Sequence, residues 1–452
     1  MDAKPLGWLG ILRLGLVQMS LGALVVLMAD STLNRVMIVE LHLPSVLPAG
    51  LIALHYAVEI LRPRWGYGSD VGGRRTPWII GGMTVLALGA VAAAASTTII
   101  VEHRLAGIAL AVAGFVAIGA GVGAAGTCVL VLLTKRTAPA HRAPAATIVW
   151  IMMILGLAGT AIISSAFLDP FTPIRLVQVE AVIASLALMT TWLALRGLEP
   201  HDIPHHAPQP LAHPANHVPF FKAARQVLAE PNTRQFMLFI FVSMLAFKSQ
   251  ALILEPFSGL VHALTPGQST KLTGIQQVGI LLGMVLVAVT GLITRRSDPA
   301  ILRLWATGGC LVSALTLVAI AAGALWFPSW PFRLMAFALG VSNGALTIAA
   351  IGSMMNMVGE GHQSREGIRM GLWGAAQGIA FGLGGFSGAL AVDIARATLP
   401  SPAIAYSSVF TLEACVFLCA AMLATHIGRA KTAPFKSSID LSFASHPGSA
   451  VS

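Results

Sequence analysis

Arg62-Pro63-Arg64-Trp65-Gly66-Tyr67-Gly68-Ser69-Asp70-Val71-Gly72-Gly73-Arg74-Arg75-Thr76-Pro77 is a short hydrophilic turn between two long apolar runs. It holds four arginines, one aspartate and four glycines. In so oily a chain this pattern marks a tight cytoplasmic loop joining two membrane helices. Gly66 and Gly73 permit a sharp turn and close packing, and Asp70 can pair with an arginine or meet a helix N-terminus.

The residues around the loop set the class. The chain has 452 residues, is 56% hydrophobic and 10% charged, and has a mean hydropathy of +0.80. Soluble domains carry about 25% charged residues, so this composition belongs to a polytopic membrane protein. The apolar runs last about 20 residues, the length of a crossing helix. Barrel strands would alternate over about 10 residues instead. An all-α integral membrane protein with twelve transmembrane helices in two six-helix bundles is expected. The polar start through Arg13 leads into a full span with no small-residue cleavage site, so no cleavable signal peptide is expected.

The net charge of +10 is explained by where the charges fall. With both termini cytoplasmic, 21 of the 28 Lys and Arg lie on the cytoplasmic side and six on the other, with Lys248 inside a span. This asymmetry is the positive-inside pattern. It reports topology rather than a nucleic-acid partner.

The longest polar stretch divides the chain. Residues 1–195 are expected to form an N-terminal six-helix bundle and 235–428 a C-terminal one. The linker 196–234 has six prolines and five histidines between Glu199 and Pro219, followed by an amphipathic pattern over Phe220 to Glu230. A flexible Pro-rich connection is the expected reading of it, rather than a metal site. The Ser-rich tail 429–452 is expected to be disordered. The halves echo each other weakly. Ser69-Asp70 corresponds to Ser297-Asp298, and Arg142 with Trp150 corresponds to Arg365 with Trp373. Paired repeats of this kind occur in transporter folds.

Glycine concentrates in the fourth span (Gly119, Gly121, Gly123, Gly126) and the eleventh (Gly374, Gly378, Gly382). Small residues so spaced let helix backbones approach closely, and packing within the bundle is the expectation for both. Four cysteines (Cys128, Cys310, Cys415, Cys419) fall inside spans and are expected to pack rather than bind metal.

Ionisable groups inside spans are costly and therefore functional candidates. Lys248 and Glu255 are seven apart, on one face of the seventh span, and Pro256 is expected to break that helix and free backbone carbonyls. His55 and Glu59, four apart, can pair. Glu180 and Glu413 are single carboxylates in the sixth and twelfth spans. Together Glu59, Glu180, Lys248, Glu255 and Glu413 form the candidate intramembrane polar network. No phosphate-cradling, zinc-protease or nucleophile-elbow motif occurs, so no catalysis and no metal centre are expected.

Gly66, Asp70, Gly73, Arg74 and Arg75 match the loop pattern of the major facilitator superfamily, where this loop is a conformational latch. Val71 departs from it, standing where a basic residue is usual. More specific strings resemble the PucC family within that superfamily. They include Arg13-Leu14-Gly15-Leu16-Val17-Gln18-Met19, Ser31-Thr32-Leu33-Asn34-Arg35-Val36-Met37 and Ala53-Leu54-His55-Tyr56-Ala57-Val58. Phe247-Lys248-Ser249-Gln250, Leu254-Glu255-Pro256-Phe257 and Leu272-Thr273-Gly274 continue the resemblance across nearly all the spans.

The resemblance implies an assembly factor for a bacterial light-harvesting antenna, of the core-antenna (LhaA) type, in the inner or intracytoplasmic photosynthetic membrane. The implied partners are antenna polypeptides, bacteriochlorophyll-synthesis enzymes and membrane lipid, with bacteriochlorophyll a bound or transferred. The magnesium of such a pigment takes one axial base, for which His55 and His42 are candidates, with Glu255 as an oxygen alternative. The rival expectation is a proton-coupled secondary transporter of a small solute or tetrapyrrole, using the five polar residues as coupling groups.

Overall fold

A backbone crossing lipid must satisfy its own hydrogen bonds, and the apolar runs do so as long helices. The computed structural model describes residues 6–62, 64–65, 74–138, 141–199, 231–294, 299–327, 330–359 and 366–426. The N-terminal half comprises α1 (Trp8–Val25), α2 (Thr32–Arg35), α3 (Val46–Glu59), α4 (Thr76–Glu102), α5 (Arg104–Arg136), α6 (Arg142–Leu168) and α7 (Pro173–Leu195). The C-terminal half comprises α8 (Pro231–His262), α9 (Pro266–Thr294), α10 (Pro299–Trp326), α11 (Phe332–Gly359), α12 (Glu366–Thr398) and α13 (Pro402–Thr425). Among the described residues, eleven helical stretches are long and apolar enough to cross a membrane, and α3 is a shorter apolar helix. The protein is a multi-pass membrane protein.

Two features differ from the sequence expectation. The first span runs from Trp8 to Glu40 and is irregular, with π-helical turns at Val26–Asp30 and Val36–Glu40 on either side of α2. Ser31 marks the join, with φ −147° and ψ −113°. The expected break at Pro256 does not occur, because α8 continues through it to His262. Proline removes one ladder donor, and a neighbouring group can replace that bond without ending the helix.

Each half has its own apolar core. One runs from Ile11 to Leu198 and is met by Leu252, Ile280, Met284 and Ala389 from the other half, while the second runs from Phe236 to Ala424. In the first, α4 packs on α5 and α7, and α1 on α6 and α7. In the second, α9 packs on α11, α10 on α11 and α13, and α8 on α12 and α13. Two long contacts join the halves, α6 with α9 and α3 with α12.

Glycine sets the closest of these contacts. A methyl group on Gly82 would lie 2.8 Å from Ala125 N, and one on Gly89 2.8 Å from Gly114 O, so α4 and α5 touch backbone to backbone. Between α9 and α11, a methyl on Gly283 would overlap Val341 O and one on Gly344 would overlap Ile280 O. The fourth-span glycines pack as expected at Gly119, Gly121 and Gly123. Those of the eleventh span do not. Among the described residues, a methyl on Gly374 or Gly378 of α12 would meet nothing within 4 Å, and one on Gly382 would meet Ala53 and Tyr56 at the ordinary contact distance of 3.9 Å. Cys128 and Cys310 are buried, whereas Cys415 and Cys419 lie on the exposed face of α13.

Glu199, assigned to the linker from sequence, belongs to the first half. Its carboxylate accepts from Arg75 N (3.0 Å), Thr76 N (2.9 Å) and Thr76 Oγ1 (2.8 Å), capping the start of α4. Glu199→Ala is expected to lower stability by roughly 1–2 kcal/mol, read as a fall in thermal midpoint in detergent. An unchanged midpoint would show that water replaces the cap. The rest of the linker from 200 to 230, with its amphipathic pattern, and the tail after 426 lie outside the described residues.

Candidate functional site

The hydrogen bonds between the halves, among the described residues, gather at the end of the helices opposite the N-terminus, called here the distal end. The irregular first span makes this possible by turning polar groups toward α8 and α9. Ser31 Oγ donates to Glu255 Oε1 at 2.6 Å, and Thr273 Oγ1 donates to the same oxygen at 2.5 Å. Thr32 and Thr270 hydroxyls meet at 2.7 Å. Asn34 Nδ2 donates to Leu252 O at 2.6 Å. Leu252 stands four residues before Pro256, so its carbonyl is the one that proline leaves without a helical donor. The freed carbonyl expected from the sequence is therefore present, and Asn34 occupies it.

Arg35 closes this edge. It is buried, with Nη1 on Glu40 Oε1 at 2.7 Å and Nη2 donating to Leu264 O at 2.6 Å. Gly259 makes room for it, since a methyl there would come within 2.9 Å of Nε.

Two carboxylates then clamp the halves symmetrically. Asp393, near the end of α12, accepts from Ser45 N at 2.9 Å and Val46 N at 2.8 Å, the first amides of α3. Asp169, just after α6, accepts from Gly267 N at 3.1 Å and Thr265 Oγ1 at 2.5 Å, at the start of α9. Each is an anion on a helix N-terminus, where unsatisfied amides and the helix dipole favour negative charge. Each comes from the opposite half. Sequence reasoning missed both, although the repeat contained a signal. Asp169 lies 27 positions after Arg142, and Asp393 lies 28 after Arg365.

The five polar residues read as one network occupy different surroundings. Glu255 lies in the seam just described. Lys248, two turns earlier on α8, places its ammonium 5.4 Å from the Tyr56 ring of α3. Glu413 accepts from Ser249 Oγ and so ties α13 to α8. Glu59 pairs with His55 Nε2 at 2.9 Å and with Arg62. Glu180 is fully buried in α7 with neither carboxyl oxygen hydrogen-bonded among the described residues. The separation follows from helix geometry: groups on α3, α7, α8 and α13 face different neighbours.

Of the pigment-ligand candidates, His55 is buried with Nε2 on Glu59 and its ring edge-on to Tyr56. His42 is exposed in the turn before α3, with φ +51°. Glu255 is held by two hydroxyls. The three are not brought together. Gly66, Asp70 and Gly73 lie outside the described residues, while Arg74 is half-buried and Arg75 is buried against Glu199. Tyr56, Phe247 and Phe381 form an aromatic contact where α3, α8 and α12 meet. Beyond it Gly378 and Gly374 face open space.

Among solved structures, a bacterial homologue of the lysosomal transporter Spinster superposes with a TM-score of 0.68 at 13% identity, covering 93% of this chain and 96% of that one. The nucleoside transporter NupG gives a TM-score of 0.65 at 13% identity, covering 93% and 100%. The fold is thus of the major facilitator type. By sequence, "Bacteriochlorophyll synthase 44.5 kDa chain" of Rhodobacter capsulatus is 47% identical over 95% of this chain and 97% of its own length. "Protein PucC" of the same organism is 28% identical, covering 91% and 90%.

The first of these relatives corrects the exclusion of catalysis, because it bears the name of an enzyme chain. The motifs sought in the sequence hold phosphate, zinc or an acyl group, and their absence does not exclude other chemistry. The family model "PUCC protein" matches residues 32–432. That match spans eleven of the twelve crossings and the distal part of the first, and the chain is a member of the PUCC protein family.

Proposed function

We propose that this protein is an assembly factor for a bacterial light-harvesting antenna, with the core antenna as its client, and that it delivers bacteriochlorophyll a as the ring grows. Family membership supports the setting, and the observation that carries the reading is the unfilled glycine face of α12. Where α12 parts from α3 beyond Tyr56 and Phe381, Gly374 and Gly378 meet nothing within 4 Å. A single-span polypeptide can lay its backbone against such a face, as small residues allow in lipid. Antenna helices carry polar pigment-ligating groups, which are unfavourable in lipid until pigment or a partner covers them. The protein acts in the inner membrane with both termini cytoplasmic, as two bundles over 1–195 and 235–428.

The test is affinity purification in mild detergent from a pigmented host, with a near-infrared spectrum and identification of small co-purifying polypeptides. Antenna polypeptides carrying bacteriochlorophyll are expected, and Gly374→Leu/Gly378→Leu is expected to lose them while remaining monodisperse. A colourless preparation without small polypeptides would overturn the assembly role. A second reading, a part in bacteriochlorophyll synthesis, draws on the name of the 47% identical relative. Pigment conversion by the purified protein would establish it.

A further inference from the structure

Away from the seam, the outer face of α4 and α5 carries an open groove of about 360 Å³ near the end bearing the N-terminus. Trp65, Pro77 and Trp78 wall it, and Gly81, Gly82 and Ala120 form its floor. The floor is low because α4 and α5 touch at Gly82. The lining is apolar, but its rim is cationic. Arg62 and Arg64 both precede Trp65 within three residues and are exposed, and Arg74 precedes the start of α4. A methyl on Gly123 would lie 2.9 Å from Trp65 Nε1 and 3.6 Å from Arg62 Cγ, which puts indole and guanidinium stem side by side at the groove.

Among the described residues, the acids nearby are committed elsewhere, Glu59 to His55 and Arg62, and Glu199 to the start of α4. Among the described residues, no carboxylate pairs with Arg64 or Arg74, and Trp65 Nε1 and Arg74 Nε are buried without a hydrogen-bond partner. An apolar slot walled by two indoles therefore opens beside guanidinium groups at the level where α4 enters the membrane. Indoles favour that level, and guanidinium matches the geometry of a phosphate.

We propose that this groove is a binding site for an anionic phospholipid. One acyl chain lies in the slot between Trp65 and Trp78, and the phosphodiester sits on Arg64 and Arg74. The charge at the rim selects against zwitterionic lipid, whose headgroup brings its own cation to the arginines. The bound lipid fastens the end of α3 to α4 across the loop that joins them.

The test reconstitutes the full chain in phosphatidylcholine vesicles and titrates in brominated phosphatidylglycerol or brominated phosphatidylcholine while following tryptophan fluorescence. The brominated anionic lipid is expected to quench at about thirtyfold lower mole fraction, as suits two basic contacts of about 1 kcal/mol each. That preference should vanish in Arg64→Gln/Arg74→Gln, and also in Trp65→Phe/Trp78→Phe, where the seven remaining tryptophans report only the lipid around the rest of the protein. Gly81→Leu provides a second route, because a methyl there meets nothing within 4 Å among the described residues and the larger side chain is expected to fill the slot. It too should lose the preference while staying folded. Equal quenching by the two lipids, or a preference that survives both Arg64→Gln/Arg74→Gln and Gly81→Leu, would overturn the proposal and leave an outer face solvated by ordinary lipid.

Discussion

Asp169→Ala/Asp393→Ala is expected to open the distal end of the protein. Each carboxylate holds the first amides of a helix belonging to the other half, Asp169 at α9 and Asp393 at α3. A side-chain oxygen capping a helix N-terminus contributes roughly 0.5–2 kcal/mol, and removing the acceptor leaves helix-terminal amides without a partner. Taking about 1.4 kcal/mol per clamp, each single substitution shifts the closed-to-open ratio about tenfold. The clamps lie at different contacts, so the double substitution should approach a shift of about a hundredfold.

The readout is alkylation of a cysteine placed at Thr273, a buried position beside Glu255, by a membrane-impermeant maleimide. Cys415 and Cys419 are first replaced by serine. Labelling in the double variant should rise steeply, with the single variants between it and the parent. If all four proteins label alike, the seam is held by Ser31, Glu255 and Arg35, and the aspartates only finish helix ends.

The second large effect concerns glycine, and it separates two stripes that look alike in the sequence. Gly283→Leu is expected to remove most folded protein, because even a methyl there overlaps Val341 O on α11. No side-chain rotation relieves a clash with backbone, so α9 and α11 must separate along their length. Overpacking a tight site costs about 1–3 kcal/mol, and here a helix pair must also part. Gly378→Leu, on α12, should leave the protein intact because nothing lies within 4 Å of a methyl there. Size-exclusion profiles of the two variants in the same detergent decide the matter. Equal losses would mean that α12 packs closely on a neighbour in the membrane, and the docking face proposed for antenna helices would disappear with that result.

Much of the architecture was legible from the residues alone. Hydropathy along the chain locates the crossings because burial in lipid depends on each residue's own chemistry, summed over about 20 positions. The arginine-rich loop at 62–77 and the strings around Ser31, His55, Lys248 and Glu255 pointed to the superfamily and the family. Pro256 was read half correctly, since its carbonyl is freed while the helix goes on.

What the tertiary structure alone decided was partnership. Gly283 and Gly378 are the same residue in similar apolar surroundings, and only the approach of α11 makes one of them indispensable to packing. Asp169 and Asp393 escaped notice in the sequence and Glu199 was placed in the linker, yet each caps a helix distant in the chain. Composition and periodicity describe one helix at a time, whereas a cap, a clamp or a backbone contact depends on which helix stands opposite. That choice is made through space, where two halves of the chain, each with its own core, come to face one another.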